Sequence, residues 1–89
     1  NVPIGIASTY HHRFEYVRDI IELYQKGIMP EQANAEAEKF HKAASSGDIF
    51  QFLINGYTAE KANPLIEISN GRFSAAQILL LIENHINLN

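Results

Sequence analysis

The stretch KGIMPEQANAEAEKF, residues 26–40, returns in altered form as NGYTAEKANPLIEIS, residues 55–69. A Gly, a Glu, an Ala, an Asn and a second Glu stand at the same places in both stretches, as Gly27 and Gly56 illustrate. Glycine readily adopts the left-handed conformation that ends a helix, and Glu near a helix start interacts well with the positive end of the helix dipole. Each stretch therefore predicts a corner at which one helix ends and the next begins.

A looser third copy, RFSAAQILLLIE at residues 72–83, follows the second copy too soon. The interval from Tyr57 to its apolar counterpart Phe73 is much shorter than the interval from Gly27 to Gly56. Because a repeat protein keeps one period along its chain, this change argues against a solenoid. We therefore interpret the echo as a corner that the chain uses more than once. Capping does not explain the match of Asn34 with Asn63, because Asn34 is expected in the middle of a helix.

The residues before the first corner predict one long helix. Thr9 or Ser8 can cap this helix, and Lys26 with Gly27 closes it. Its apolar residues follow helical spacing; they are Tyr10, Phe14, Val17, Ile21, Tyr24 and Ile28. Residues 1–8 hold a proline and a glycine among apolar residues and are predicted to form an extended lead-in.

The rest of the chain predicts shorter helices. Pro30 suits the first position of a second helix, and Asp48 is predicted to cap a third, buried one. A fourth helix either kinks at Pro64 or starts anew there. Ser74 with Gln77 fits a capping box for the last helix, which is apolar over most of its surface and is therefore predicted to be central.

These patterns predict an all-α fold, a compact bundle of about four to six short helices with short capped loops. The length of 89 residues suits a single domain over residues 1–89. A chain that begins with Asn is expected to be part of a larger protein.

Composition restricts the classes of function. The chain has no cysteine, which excludes disulfides, thiolate metal sites and a cysteine nucleophile. A net charge of −3 argues against nucleic-acid binding, which usually needs a basic face. The longest apolar run, residues 78–82, is too short to cross a bilayer. The absence of cysteine and of a signal peptide predicts an intracellular location.

The histidines are the candidate metal ligands. On a helix, His11 or His12 would share a face with Glu15, and His41 or His85 could add a third ligand. The strong motif H-E-x-x-H is absent. A small metal-binding or enzymatic bundle that uses His11, His12 and Glu15 is therefore kept as the first alternative.

A helix-turn-helix regulator is the second alternative, with its turn at residues 70–71. Its reading helix would contain AAQILLLIEN, which has no Arg or Lys to contact bases or phosphates. The only basic grouping, within residues 11–18, is small. The serines and threonines that can be placed lie at predicted caps and turns, and no phosphate-binding glycine loop occurs, so neither catalysis nor a cofactor is predicted.

Aromatic residues exceed what one narrow core needs, and exposed aromatics are typical of protein interfaces. The predicted partner surface comprises Tyr16, Tyr24, Phe50 and Tyr57. The leading prediction is therefore a non-catalytic protein-interaction or regulatory module of a larger intracellular protein. Its partner is expected to be another protein, a neighbouring domain of the same chain, or a second copy.

Overall fold

The computed structural model describes residues 2–86, which form six helices and no strand. The helices are α1 (Ile4–Ala7), α2 (Val17–Gln25), α3 (Pro30–Lys39), α4 (Ser46–Ile54), α5 (Ala59–Ser69) and α6 (Ala75–Glu83). The prediction of an all-α fold with short loops is confirmed. None of the helices within this part of the chain has the length and apolar character that crossing a membrane requires.

The helices are arranged as three consecutive pairs, α1–α2, α3–α4 and α5–α6. The N-caps of the second helices are residues 16, 45 and 74, which are evenly spaced along the chain. The residues that follow these helices, Gly27, Gly56 and His85, keep the same interval and all have positive φ, at 80°, 83° and 60°. The period is therefore constant, and the rejection of a repeat was wrong.

The pairs stack side by side. The middle helix α4 packs against both α2 and α6, and α3 packs against α5. Nearest-neighbour packing of this kind is typical of helical repeat proteins, and it gives the molecule extents of 42 × 23 × 18 Å. The central helix is thus α4. The prediction that the last helix is central was wrong, because α6 lies at one end of the stack and leaves Leu80 exposed.

The prediction of one long first helix, capped by Thr9 or Ser8 and closed by Lys26 and Gly27, is also wrong. The helix begins only at Val17, residues 8–16 form a loop, and Ile4–Ala7 are helical where an extended lead-in was predicted. Tyr10 and Phe14 matched helical spacing because both side chains are buried, but they reach the core from the loop.

Side-chain bonds explain the conformation of this loop. The Tyr10 hydroxyl donates to the Ile28 carbonyl at 2.7 Å, and the Tyr10 and Phe14 rings meet edge to face with centroids 6.1 Å apart. These contacts fold the segment back over the start of the second pair, so a continuous helix does not form.

The helix starts follow capping chemistry with one correction. The Ser45 hydroxyl accepts from the Asp48 N–H, and the Asp48 carboxylate accepts from the Ser45 N–H. Ser45 is therefore the N-cap that was assigned to Asp48. The capping box of Ser74 with Gln77 is confirmed, and α5 runs through Pro64 as one helix.

Candidate functional site

The histidines of the first two pairs hold loop turns. The His11 Nδ1 accepts from the Arg13 N–H at 3.1 Å, and the His41 Nδ1 accepts from the Ala43 N–H at 3.0 Å. The two arrangements are equivalent, one in the loop of each pair. Each imidazole therefore stabilises its own turn through Nδ1.

The proposed metal ligands do not share a helix face. His11, His12 and Glu15 all lie in the loop between α1 and α2, with the two imidazole centroids 4.1 Å apart. Glu15 is exposed, and its backbone N–H donates to the Ser46 hydroxyl. His85 follows α6 in the third pair. Within residues 2–86, no three His, Cys, Asp or Glu side chains form a group that could hold a metal ion.

Asn34 and Asn63 join successive pairs. The Asn34 Oδ1 accepts from the His11 N–H at 2.6 Å, while its Nδ2 donates to the Thr9 carbonyl at 2.8 Å. The Asn63 Oδ1 accepts from the His41 N–H at 2.8 Å, and its Nδ2 donates to the Lys39 carbonyl at 2.9 Å. Each amide thus clamps the preceding pair through its backbone. This shared role explains why Asn34 and Asn63 match in the two similar stretches of sequence, which capping did not explain.

Arg13 is engaged inside the fold. Its Nη1 donates to the carbonyls of Ala37 and Phe40, at 2.7 and 3.0 Å, and its Nη2 donates to those of His41 and Ala44, both at 3.0 Å. The guanidinium thereby satisfies two carbonyls at the C-terminal end of α3, where a cation is favourable, and two in the loop that follows it. Arg13 therefore links the first pair to the second, and we call such a contact region between successive pairs a joint. Its guanidinium is engaged in this joint and is not a free member of a basic patch.

The four residues predicted as a partner surface differ widely in exposure. Tyr16 is 59% exposed, whereas Phe50 is only 6% exposed and belongs to the core. Tyr24 and Tyr57 are half-buried, and the Tyr57 ring packs 5.9 Å from the core ring of Phe52. Phe50 is therefore a core residue, and of the four only Tyr16 is a largely exposed side chain.

The most prominent recess is an apolar groove between α1 and α2, with a volume of about 560 Å³, which we call the head groove. Its lining residues are Val2, Ile4, Ala7, Ser8, Val17, Ile20, Ile21 and Gln25. Six of these eight side chains are apolar. The Ser8 hydroxyl donates to the Gly5 carbonyl, which leaves Gln25 as the polar group at the rim.

Comparison of the pairs shows why this groove is open. Val17 is 69% exposed, whereas the residues at the same place in the other pairs, Ser46 and Ala75, are 6% and 1% exposed. Ile20 is half-buried, while its counterparts Ile49 and Ile78 are buried. The head groove is therefore the face that each later pair covers with the pair before it.

The opposite end of the stack carries a smaller apolar recess, which we call the tail hollow. It has a volume of about 220 Å³ and is lined by Phe73, Gln77, Leu80 and Leu81. Leu80 is 58% exposed. Sequence reasoning missed both recesses, although alignment of the chain on its caps at residues 16, 45 and 74 would have shown which positions recur.

Comparison of the chain with protein-family models, with curated proteins and with solved structures gives no significant match. The site is therefore interpreted from its own geometry.

Proposed function

We propose that this protein is a non-catalytic protein-interaction module and that the head groove is its binding surface. The observation that carries the proposal is the repeat itself: a face that is buried in the second and third pairs is open in the first. Val17 stands there in place of a serine and an alanine. Burial of such a face removes apolar surface from water, which is the main favourable contribution to protein association.

The composition of the surface supports a protein partner. The head groove is lined mainly by aliphatic side chains, and the exposed Tyr16 directly precedes its lining residue Val17 in the chain. Apolar centres and aromatic residues are typical of protein interfaces. We extend the proposal to a regulatory role within a larger intracellular protein, where another protein, a neighbouring domain of the same chain or a second copy would fill the groove.

Site-specific crosslinking tests this function. A photoreactive phenylalanine analogue at Ile21, in the groove, is expected to capture a defined protein from a lysate of the source cells. The same probe at the exposed Gln32 of α3 is the control and should capture none. Val17→Asp should abolish the capture without unfolding the protein, because an acidic residue is favourable in the first turn of a helix. Equal capture by wild type and Val17→Asp, with unchanged helical circular dichroism, would contradict the proposal.

A further inference from the structure

We infer that the partner of the head groove is the tail hollow of a second copy, so that molecules stack head to tail in continuation of the repeat. This inference rests on the proposed function and names the occupant of its site. The internal joints between pairs show what an apolar face of this kind packs against.

The internal joints define the required partner surface. Leu23 of α2 and Phe52 of α4 occupy the same place in successive pairs. Both are fully buried, and each lies on a helix that packs against the second helix of the following pair. In the third pair this place belongs to Leu81, which is only half-buried and lines the tail hollow. The tail hollow of the third pair is thus equivalent to the surface with which the first and second pairs each pack against the following pair.

The tail is more apolar than the surfaces that it repeats. Leu80 stands where α2 has Glu22 and α4 has Gln51. A leucine that is 58% exposed at a place where the other pairs hold polar residues extends the apolar surface around Leu81. Exposed apolar residues that adjoin one another in this way mark an interaction surface.

The head is changed in a matching way. When the loops are aligned at His11 and His41, Ile4 stands at the place of the clamp residue Asn34, and Ile4 is 87% exposed. The head groove therefore offers an aliphatic side chain where an internal joint offers an amide. It suits a partner in which the backbone N–H equivalent to those of His11 and His41 is already hydrogen-bonded within its own chain.

The tail loop meets that condition. At the place of the clamped His41 lies Asn70, whose N–H already donates to the carbonyls of Ile66 and Glu67 in its own helix. Asn70 adopts the left-handed conformation, with φ at 52°, and ends α5 there. The head thus has no amide side chain to accept a hydrogen bond, and the N–H at the equivalent place in the tail loop is already bonded. Both surfaces are apolar, so they are complementary as the two sides of a joint between copies.

The geometry of such a joint is heterologous, because different surfaces of the two copies meet. Heterologous contacts that do not close into a ring produce open chains of increasing length. Each copy carries a net charge of −3, so added salt should strengthen the association by screening repulsion between copies.

Sedimentation equilibrium of the purified protein tests the inference. The weight-average mass should rise with concentration from 10.0 kDa and pass beyond twice that value without a plateau. Val17→Asp should block the head and Leu80→Glu the tail, so that each variant alone stays monomeric. An equimolar mixture should form a dimer and nothing larger, because it contains one intact head and one intact tail. Met29→Asp is the matched control, since Met29 is an exposed apolar N-cap in the middle of the chain where Asp is tolerated.

Two outcomes would overturn the inference. One is a monomer at all concentrations and salt levels. The other is a dimer plateau that Val17→Asp abolishes and Leu80→Glu leaves intact, which would show a symmetric contact between two heads. In the first case, crosslinking of another protein at Ile21 would leave the proposed interaction function standing, so failure of the inference and failure of the function are distinguishable.

Discussion

Removal of the Asn63 clamp should weaken the protein far more than its half-buried position suggests. Asn63→Ala deletes two hydrogen bonds between the third pair and the second, at 2.8 Å to the His41 N–H and at 2.9 Å to the Lys39 carbonyl. Each such bond contributes about 1 kcal/mol net, and a partner group left unsatisfied costs more. Alanine regains roughly 0.5 kcal/mol through its higher helix propensity.

The expected loss is therefore about 1.5–2.5 kcal/mol in the free energy of unfolding. At a shift of about 4–8 °C for each kcal/mol in a domain of this size, the melting temperature should fall by about 6–20 °C. Urea unfolding followed by circular dichroism at 222 nm measures both the midpoint and the slope. Asn34→Ala, which opens the first joint, should show a loss of similar size.

Asn55→Ala is the matched control. The Asn55 side chain makes only a local, exposed bond to the Gln51 carbonyl, so its removal should cost no more than about 0.5 kcal/mol. If Asn63→Ala and Asn55→Ala have equal unfolding midpoints, the clamp does not contribute to the joint and the reasoning fails.

Three further predictions concern single side chains. Arg13→Lys should lower the free energy of unfolding by about 1–3 kcal/mol, because one ammonium cannot reproduce four bonds of the guanidinium, while Arg18→Lys at the surface should change urea unfolding little. Burial, aided by Tyr24, raises the pKa of the Tyr10 hydroxyl. The contribution of the Tyr10 hydroxyl to stability is therefore complete below about pH 10, its pKa in the unfolded chain, and is lost as the pH rises through the folded pKa. In urea unfolding at alkaline pH, the free energy of unfolding should fall less steeply with pH in Tyr10→Phe than in wild type. Burial also raises the pKa of the Asp19 carboxyl, so stability should increase as the pH falls through that folded pKa, and Asp19→Asn should be more stable than wild type at pH 7 but equal to it in acid.

Local signals predicted the corners well. Gly27 and Gly56 end helices with positive φ, Pro30 is the first residue of α3, and Ser74 caps α6. Each of these residues acts within one turn of its own position, so the chemistry of the residue and its neighbours is sufficient. The same locality explains why Asp48 was predicted as the N-cap of α4. Asp48 does belong to the capping box, but as the N3 partner of the N-cap Ser45.

The repeat escaped prediction because residues 72–83, which contain α6, were compared with the stretch that contains α5, the first helix of the same pair. The counterpart of α6 is α4, whose N-cap Ser45 is equivalent to Ser74. The first copy is also irregular. Its second helix has Tyr16 as N-cap, with no side-chain cap, where the later pairs have serines. The segment from the loop histidine to the N-cap of the second helix is also one residue longer in the first pair, from His11 to Tyr16, than in the second pair, from His41 to Ser45. A comparison of motifs at fixed spacing therefore loses register in the first pair.

The exposure of the groove residues could not be predicted from residue type. Ile20 and Ile49 are the same residue at the same place in successive pairs, yet Ile20 is half-buried and Ile49 is fully buried. The difference arises from the order of the pairs in the stack, because within residues 2–86 only Ile49 has a preceding pair to cover it. Burial in a repeat fold depends on neighbours that local sequence does not encode.

The distribution of burial also differs between the two ends of the stack. Leu23 is the only fully buried residue of α2, and α1 has none, whereas α4 contributes five buried residues and belongs to both joints of the stack. Stability in such a stack is the sum of contributions from each pair and from each joint. Within residues 2–86 the first pair has a single joint and the least burial, so it is expected to open most readily. A partner that fills the head groove supplies the missing joint to that pair. Since binding to the folded form stabilises it by mass action, the order of α1 and α2 becomes coupled to the occupancy of the groove.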